Sequence, residues 1–335
     1  MPKIIAALVM FISSLFAPIS SPVKSLPIFA LPQPTPFLFE EMTIPYLRKR
    51  SYDGRLGELI QVGQNANYQS FLTSFTSDNF KVNGLLTRPT GETPPGGWPA
   101  VVLVHGYIAP QNYRTQSNYT AHVDYLARNG LVVFKIDLRG HDKSEGEAGG
   151  AYYSADYVID TLSAYSALQK ADFVNADKVG LWGHSMAGNI TFRGLAVKPD
   201  IPAVVIWAGA GYTYSDLLTY RISDNSYRPP PTDTPRARQR QKLRGAYGDF
   251  DPAHWFWKQI PATNYLDQVK GAIQIHHAVD DAVVSIEYSR NLMTILDSTN
   301  IPHTLFEYPS GGHNLTGSSF ARAMQRTVEF YKENL

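Results

Sequence analysis

Ser185 stands where the residue pattern of this chain is suited to nucleophilic chemistry. Residues 179–183 form a short apolar run typical of a buried strand, and residues 186–197 follow with a helical pattern. A sharp turn at the end of a strand exposes a serine hydroxyl beside a base, which activates it. Small residues flank the serine, although Ala187 replaces the second glycine of the usual G-x-S-x-G motif. The alternative interpretation is a serine that caps an ordinary helix.

His313 is the candidate base. It lies in a glycine-rich loop, residues 309–314, between a strand-like run at residues 303–308 and a helix expected from about Ser318 to Asn334. A base that moves a proton between a hydroxyl and a leaving group suits a loop of this kind. A surface-loop histidine without a catalytic role is the alternative.

Two adjacent aspartates provide the candidate acid. Asp280 and Asp281 follow an apolar run, residues 273–279, that is typical of another buried strand. Because neighbouring side chains diverge, only one of the two can point at His313. The residues alone leave both candidates open.

From about residue 71 to its C-terminus, the chain resembles the prolyl oligopeptidase-like branch of the α/β-hydrolases, which includes the serine peptidase S9 catalytic domain. The resemblance implies an α/β-hydrolase fold and a serine hydrolase that cleaves ester or short-peptide amide bonds through an acyl-enzyme. A carboxylesterase without peptidase activity is the alternative, and a non-catalytic hydrolase-like binding protein is the competing class. The resemblance is densest at Val104–Tyr107, Gly183–Met186, Ile275–His277 and Gly312–His313.

The resemblance also assigns site residues. A family pattern that ends in Asp-x-x-Val-Pro-x-Glu, laid without gaps on residues 276–287, puts the acid on Asp281 rather than Asp280. In such proteins a His-Gly loop and the residue after the nucleophile donate backbone N–H groups to the oxyanion. This assigns the two donors to Tyr107 and Met186.

Several polar residues near these segments are interpreted as scaffold. His105 stands at a strand end beside a turn, where a histidine more often braces the loop by hydrogen bonding than acts as a base. Asp137, Arg139 and His141 lie in a segment that resembles the D-x-R-G-x-G-x-S-x-G loop of hydrolases. We interpret Asp137 and Arg139 as a charged pair and His141 as a polar brace near the rim of the site.

The elements that must position these residues alternate between strand and helix after a hairpin expected at residues 71–88. This order indicates an α/β fold with a mostly parallel central sheet and helices on both faces. The site is expected past the C-terminal ends of the strands. The predicted elements are helix 117–129, strand 132–137, helix 155–170, strand 179–183, helix 186–197 and strand 203–208.

An insertion at about residues 209–270 interrupts this order and predicts a cap over the site. It is rich in aromatic residues, and Trp255, Trp257 and Tyr212 are expected to line an apolar substrate pocket. Anchoring of the cap to the body of the domain is the alternative role for these rings. A basic cluster at residues 236–244 is interpreted as a solvated face.

The N-terminus resembles a secretory signal, because Lys3 precedes an apolar run, Ile4–Phe16, that is followed by prolines and small residues. We expect residues 1–30 to be a signal peptide and the protein to be exported to the periplasm or the extracellular space. An uncleaved membrane anchor is the alternative. Residues 31–70 are expected to be a linker and N-terminal extension, and residues 71–335 the hydrolase domain.

The composition excludes several function classes. The chain has 335 residues, 44% of them hydrophobic, and a net charge of +1, which argues against a nucleic-acid surface. It has no cysteine, and the sequence carries no phosphate-binding glycine loop, dinucleotide motif or metal-spaced histidine set. No cofactor or metal is therefore expected.

The expected partner is a small-molecule ester or a short peptide, with membrane contact only through an uncleaved N-terminal segment. Few residues precede the first core strand, at Ala100, so we expect no propeller of the kind that gates full prolyl oligopeptidases.

Overall fold

The computed structural model of the protein describes residues 36–223 and 234–335. The signal peptide or anchor expected at residues 1–30 lies outside these ranges. Within them, no helix is both long enough and apolar enough to cross a membrane.

A single sheet runs through the described domain. Its strands are β1 (Ile60–Gln64), β2 (Tyr68–Ser77), β3 (Phe80–Pro89), β4 (Trp98–Val104), β5 (Val132–Ile136), β6 (Val174–His184), β7 (Ala203–Trp207), β8 (Ala272–Ala278) and β9 (His303–Tyr308). They lie side by side in the order β1-β2-β3-β5-β4-β6-β7-β8-β9. Pairing is antiparallel from β1 through β3 to β5 and parallel from β5 to β9. The predicted mostly parallel sheet is confirmed.

Helices cover both faces of this sheet. Along β4, Val102 and Val104 join one apolar cluster with residues of the helices at 156–169 and 186–197, whereas Val101 and Leu103 join a second cluster with residues of the helices at 120–128 and 318–334. Successive side chains of a strand point to opposite faces of the sheet, so the two clusters are the two halves of the core. The helices are α1 (Ile44–Lys49), α2 (Thr120–Arg128), α3 (Asp156–Gln169), α4 (Met186–Val197), α5 (Tyr214–Thr219), α6 (Pro235–Tyr247), α7 (Glu287–Leu296) and α8 (Ser318–Asn334).

The predicted hairpin is formed by β2 and β3. Asp78 and Asn79 connect the two strands and both have positive φ, 50° and 68°. Asp and Asn tolerate this left-handed region better than most residues, and a two-residue turn of this hand matches the twist of the strands it joins. The local sequence therefore fixes the register of the hairpin.

The domain begins earlier than the predicted residue 71, because residues 38–335 form one structural unit. Ile44 and Leu47, on one side of α1, are fully buried in the core, and β1 adds a strand at the edge of the sheet. The segment interpreted as a linker and extension is thus part of the domain for most of its length. In the sequence, the spacing of three residues between the apolar Ile44 and Leu47 indicates α1, although this helix is only six residues long.

The insertion at residues 209–270 carries the helices α5 and α6 and two single turns of 3₁₀-helix, Trp257–Gln259 and Ala262–Asn264. Thr213 and Thr234 cap the two α-helices, each accepting a hydrogen bond from the backbone N–H three residues on.

Candidate active site

Ser185 lies in a strained turn between β6 and α4. Its φ of 57° and ψ of −118° are unfavourable for a residue with a side chain, and such strain persists where the surrounding packing enforces it. A Cβ at Gly183 would lie 2.6 Å from the carbonyl oxygen of Ala187, and one at Gly188 would lie 2.6 Å from the Cα of Gly209. Both glycines are therefore required by close backbone approach. The methyl group of Ala187 is buried without such a conflict.

Ser185, His313 and Asp281 form a continuous chain of hydrogen bonds. The Oγ of Ser185 lies 2.9 Å from Nε2 of His313, and Nδ1 of His313 lies 2.8 Å from Oδ2 of Asp281. The side chain of His313 is 16% exposed and that of Asp281 is fully buried. The three residues follow the C-terminal ends of β6, β9 and β8, so the sheet brings together groups that are far apart in the chain.

The carboxylate of Asp281 is held ionised by its partners. Burial by itself raises the pKa of this group, but hydrogen bonds from His277 and His313 and from the backbone outweigh burial, and the pKa lies well below its usual range. Oδ1 accepts hydrogen bonds from the N–H groups of Val283 and Val284, at 2.8 and 2.9 Å. Oδ2 also lies 3.2 Å from Nε2 of His277, and these contacts fix the orientation of the carboxylate.

Asp280, the neighbour of Asp281, contacts the loop that carries His313 rather than the ring of His313. Its carboxylate points away from His313 and accepts hydrogen bonds from the backbone N–H groups of Gly312, at 2.8 Å, and Gly311, at 3.3 Å. The side chain is exposed, but it fastens the loop that carries His313 to the end of β8. Asp281 thus contacts the ring of His313, and the adjacent Asp280 holds the backbone of the two glycines that precede His313.

His184 and Tyr119 join three segments of the site, and sequence reasoning did not single them out. The hydroxyl of Tyr119 accepts a hydrogen bond from the N–H of Gly106 at 2.8 Å and lies 2.6 Å from Nδ1 of His184. Nε2 of His184 lies 2.9 Å from the backbone carbonyl oxygen of His313. Burial lowers the pKa of His184 to about 3, so its ring is neutral. The neutral ring accepts from Tyr119 at Nδ1 and donates from Nε2 to His313.

Tyr107 and Met186, the expected oxyanion donors, line one cavity of about 900 Å³. Met186 is the first residue of α4, where backbone N–H groups have no partner within the helix and the helix dipole favours negative charge. This end of the helix is suited to holding an anionic oxygen beside Ser185.

His105 lies in the core with both ring nitrogens against backbone carbonyl oxygens, 2.7 Å from Gly106 and 3.1 Å from Asp137. Burial lowers the pKa of His105 to about 3. The side chain contacts neither Ser185 nor His313 and fits the bracing role expected from the sequence.

The expected charged pair between Asp137 and Arg139 is wrong. The carboxylate of Asp137 instead accepts hydrogen bonds from the hydroxyls of Tyr113 and Thr115, at 2.9 and 2.6 Å. Arg139 is paired with the fully buried Asp160, with 2.7 Å between Nη2 and Oδ1. Leu138, between the two residues, has a positive φ of 54°, so the chain turns after β5 and carries the two side chains to different partners.

The three aromatic residues assigned to the substrate pocket do not line the cavity of Tyr107 and Met186. Tyr212 is buried beside Phe192, and Trp257 is buried with its ring 5.1 Å from that of Tyr214. Trp255 is 51% exposed and packs edge-on against Tyr247 at 5.7 Å. Tyr212 thus anchors the insertion to α4, which is the alternative role given above, whereas Trp255 and Trp257 pack against other rings of the insertion. Trp257 also lines a separate cavity of about 450 Å³.

The cavity is instead bordered by the basic cluster, which the sequence interpretation treated as a solvated face. Arg236, Arg240 and Arg244 of α6 line it. They recur every four residues, which brings them to one side of the helix. The four-residue spacing of the arginines is visible in the sequence, but only the fold places that side of α6 over the cavity.

The described residues, 36–223 and 234–335, contain no group of three or more histidine, aspartate or glutamate side chains arranged to hold a metal ion.

Two family models match parts of the chain. Residues 99–223 match the family described as serine aminopeptidase, S33, and residues 162–328 match the family described as BAAT / acyl-CoA thioester hydrolase C terminal.

Curated relatives match a larger part. The dipeptidyl aminopeptidase BIII of Pseudoxanthomonas mexicana is 25% identical over 69% of the chain, and human dipeptidyl peptidase 8 is 23% identical over 72%. The matches cover 32% and 25% of those two proteins, so the chain spans at most about a third of the relatives' length.

Solved structures share the fold at low identity. Acetyl xylan esterase 1 of Thermoanaerobacterium sp. JW/SL YS485 has a TM-score of 0.61 at 20% identity, covering 88% of this chain and 93% of the esterase. Dipeptidyl peptidase 4 of Porphyromonas gingivalis also has a TM-score of 0.61, at 19% identity, covering 80% of this chain and 36% of the peptidase. With the sheet order and the family matches, these similarities show an α/β-hydrolase fold and make the chain similar to serine peptidases of the prolyl oligopeptidase-like branch and to esterases.

Proposed function

We propose that this protein hydrolyses ester bonds and the amide bonds of short peptides, with Ser185 as nucleophile, His313 as general base and acid, and Asp281 as the acid that orients His313. The supporting observation is the unbroken chain of hydrogen bonds from the Ser185 hydroxyl to the buried Asp281 carboxylate, at 2.9 and 2.8 Å. Nucleophile, base and orienting group within hydrogen-bond reach are the signature of covalent acyl transfer.

In the proposed reaction, Oγ of Ser185 attacks the substrate carbonyl carbon while its proton passes to Nε2 of His313. The N–H groups of Tyr107 and Met186 stabilise the negative charge that develops on the carbonyl oxygen. Collapse of the tetrahedral intermediate expels an alcohol or amine, which takes the proton from His313. Water then adds to the acyl-enzyme by the same route, releasing the carboxylic acid and restoring Ser185.

Esters are the more readily cleaved substrates in this proposal, because an alkoxide leaves more easily than an amine and needs less general-acid assistance. The two curated relatives are named as a dipeptidyl aminopeptidase and a dipeptidyl peptidase, whereas the acetyl xylan esterase is matched over 93% of its own chain. The esterase similarity favours a second candidate function, a carboxylesterase without peptidase activity. Amide cleavage, where present, is confined to short peptides.

A fluorophosphonate probe and matched substrates test the proposal on the full-length chain. We expect the probe to label wild-type protein and not the Ser185→Ala variant, and wild-type protein to hydrolyse short-chain p-nitrophenyl esters. Alanine p-nitrophenyl ester and alanine p-nitroanilide, which share an acyl group, separate the two candidate functions. More than a few per cent of wild-type turnover in Ser185→Ala protein, or an unlabelled wild-type protein, would overturn the assignment and favour a non-catalytic binding protein.

We also propose that the protein acts after export, on the basis of its signal-like N-terminus. Expression with a C-terminal tag, followed by cell fractionation, tests this. An exported, shortened chain is the expected result, a full-length chain in the membrane fraction indicates an anchor, and full-length protein in the cytoplasm contradicts export.

A further inference from the structure

We propose that the cavity lined by Tyr107 and Met186, the residue after Ser185, selects substrates that carry a negatively charged group, a carboxylate or a phosphate, which Arg236 and Arg240 bind. This inference rests on the proposed function, because it assigns the substrate class of the same site. It goes beyond the serine hydrolase chemistry, which by itself sets no charge preference.

The location of the arginines is the first argument. Arg236, Arg240 and Arg244 line the same cavity as the expected oxyanion donors Tyr107 and Met186. A molecule that fills this cavity of about 900 Å³ therefore touches both Met186, the residue after the nucleophile, and the basic side of α6. Concave sites of this volume are typical of small-molecule ligands rather than of extended polyanions.

The second argument is the way the guanidinium groups are held. The guanidinium carbon of Arg236 lies 5.7 Å from the centre of the Tyr152 ring, and that of Arg240 lies 5.3 Å from the centre of the Tyr153 ring. Contact with an aromatic face orients an arginine and leaves its charge and its N–H donors in place. Among the described residues, neither Arg236 nor Arg240 forms an ion pair with a carboxylate, whereas Arg244 is paired with Asp249.

The remaining charges around the cavity leave it basic. Glu147 also lines the cavity, and its carboxylate lies 3.9 Å from the guanidinium group of Arg238, which belongs to α6. His141 borders the cavity as a buried ring whose pKa burial lowers, so it adds no positive charge at neutral pH. Arg236 and Arg240, which have no carboxylate partner among the described residues, outnumber Glu147 and favour an anionic ligand, and the fork of an arginine matches carboxylate and phosphate oxygens.

The test compares esters that differ in charge, on the full-length chain. The mono-p-nitrophenyl esters of adipic, suberic and sebacic acid carry a free carboxylate at increasing distance from the reacting carbonyl, and their methyl esters are the neutral controls. p-Nitrophenyl phosphonoalkanoates of matched length replace the carboxylate by a phosphonate, which decides between the two anions. Alanine p-nitrophenyl ester, with its free amine, is the cationic comparison.

We expect a higher kcat/KM for the anionic esters than for their neutral methyl esters. Arg240→Gln should lower kcat/KM roughly 5-fold for the anionic esters and leave the neutral esters unchanged, and adding Arg236→Gln should lower it further. Lys242→Gln is the matched control, because Lys242 is an exposed cation on α6 that does not line the cavity, and its removal should leave the charge preference intact.

Equal kcat/KM for charged and neutral esters, or an equal loss for both in Arg240→Gln, would overturn the subsite while the hydrolase function stands. Absence of both probe labelling and ester hydrolysis would instead count against the proposed function. In that case calorimetry with monomethyl suberate decides the subsite. Binding that Arg240→Gln weakens and Lys242→Gln does not would support it, and no binding to the wild-type chain would overturn it.

Discussion

Nε2 of His184, the residue just before the nucleophile, lies 2.9 Å from the backbone carbonyl oxygen of His313. The turn that carries the serine is therefore fastened directly to the loop that carries the candidate base. Tyr119 extends the connection to Gly106, next to the expected oxyanion donor Tyr107.

Tyr119→Phe should loosen this connection without creating a cavity. The N–H of Gly106 and Nδ1 of His184 would both lose their partner, and a buried polar group left unsatisfied costs about 1–3 kcal/mol. We expect kcat/KM for a neutral ester to fall roughly 10-fold, since small displacements of reacting groups are costly. Steady-state kinetics and the rate of fluorophosphonate labelling measure this loss of activity. An unchanged labelling rate would contradict a positioning role for Tyr119.

Asp281→Asn should lower kcat by roughly 10⁴-fold, because an amide cannot hold His313 in the tautomer and orientation that the proposed reaction needs. Asp280→Asn should cost little, since its amide oxygen still accepts the hydrogen bond from the N–H of Gly312. Kinetics of the two variants on one ester separates the roles. The reverse order of effects would transfer the acid role to Asp280.

Gly183→Ala should destabilise the fold at the turn that carries Ser185. The added methyl group would lie 2.6 Å from the carbonyl oxygen of Ala187, so the backbone must shift, and overpacking of this kind costs about 1–3 kcal/mol. Gly245→Ala is the matched control, because a Cβ there, in α6, meets nothing within 4 Å. Urea denaturation of both variants tests this, and equal midpoints would contradict it.

Arg139→Met should be strongly destabilising, because it leaves the fully buried carboxylate of Asp160 without its cation. Removal of one partner of a buried ion pair typically costs about 3–5 kcal/mol. Lys270→Met, which breaks the exposed pair with Asp200, is the control and should leave stability unchanged. Chemical denaturation compares the two, and similar losses in both variants would count against the buried pair.

Stability should fall as the pH drops below about 6.5. Burial lowers the pKa of His105, His184 and His276 to about 3 in the folded chain, whereas an unfolded histidine titrates near 6.5. Between these values the unfolded state binds more protons, so each histidine removes up to roughly 1.4 kcal/mol of stability per pH unit as the pH falls. Urea unfolding at pH 7.5, 6 and 5 measures the slope, and a flat profile would contradict the three neutral rings.

The sequence by itself determined the local parts of this protein. The strand–turn–helix at Ser185, the glycine-rich loop of His313, the hairpin at Asp78–Asn79 and the alternation of strand and helix follow from short-range patterns of apolar residues, glycines and turn formers. The mostly parallel sheet follows from that alternation, because parallel neighbours need crossover helices.

Only the tertiary structure decided which distant groups meet. The contact of His184 with His313, the separation of Asp137 from Arg139 and the side of α6 that faces the cavity depend on how the elements pack, which no local pattern encodes. The aromatic residues of the insertion show the same limit. Their sequence is equally compatible with lining a pocket and with anchoring the insertion to the body of the domain, and the burial of Tyr212 against Phe192 of α4 selects anchoring for that residue.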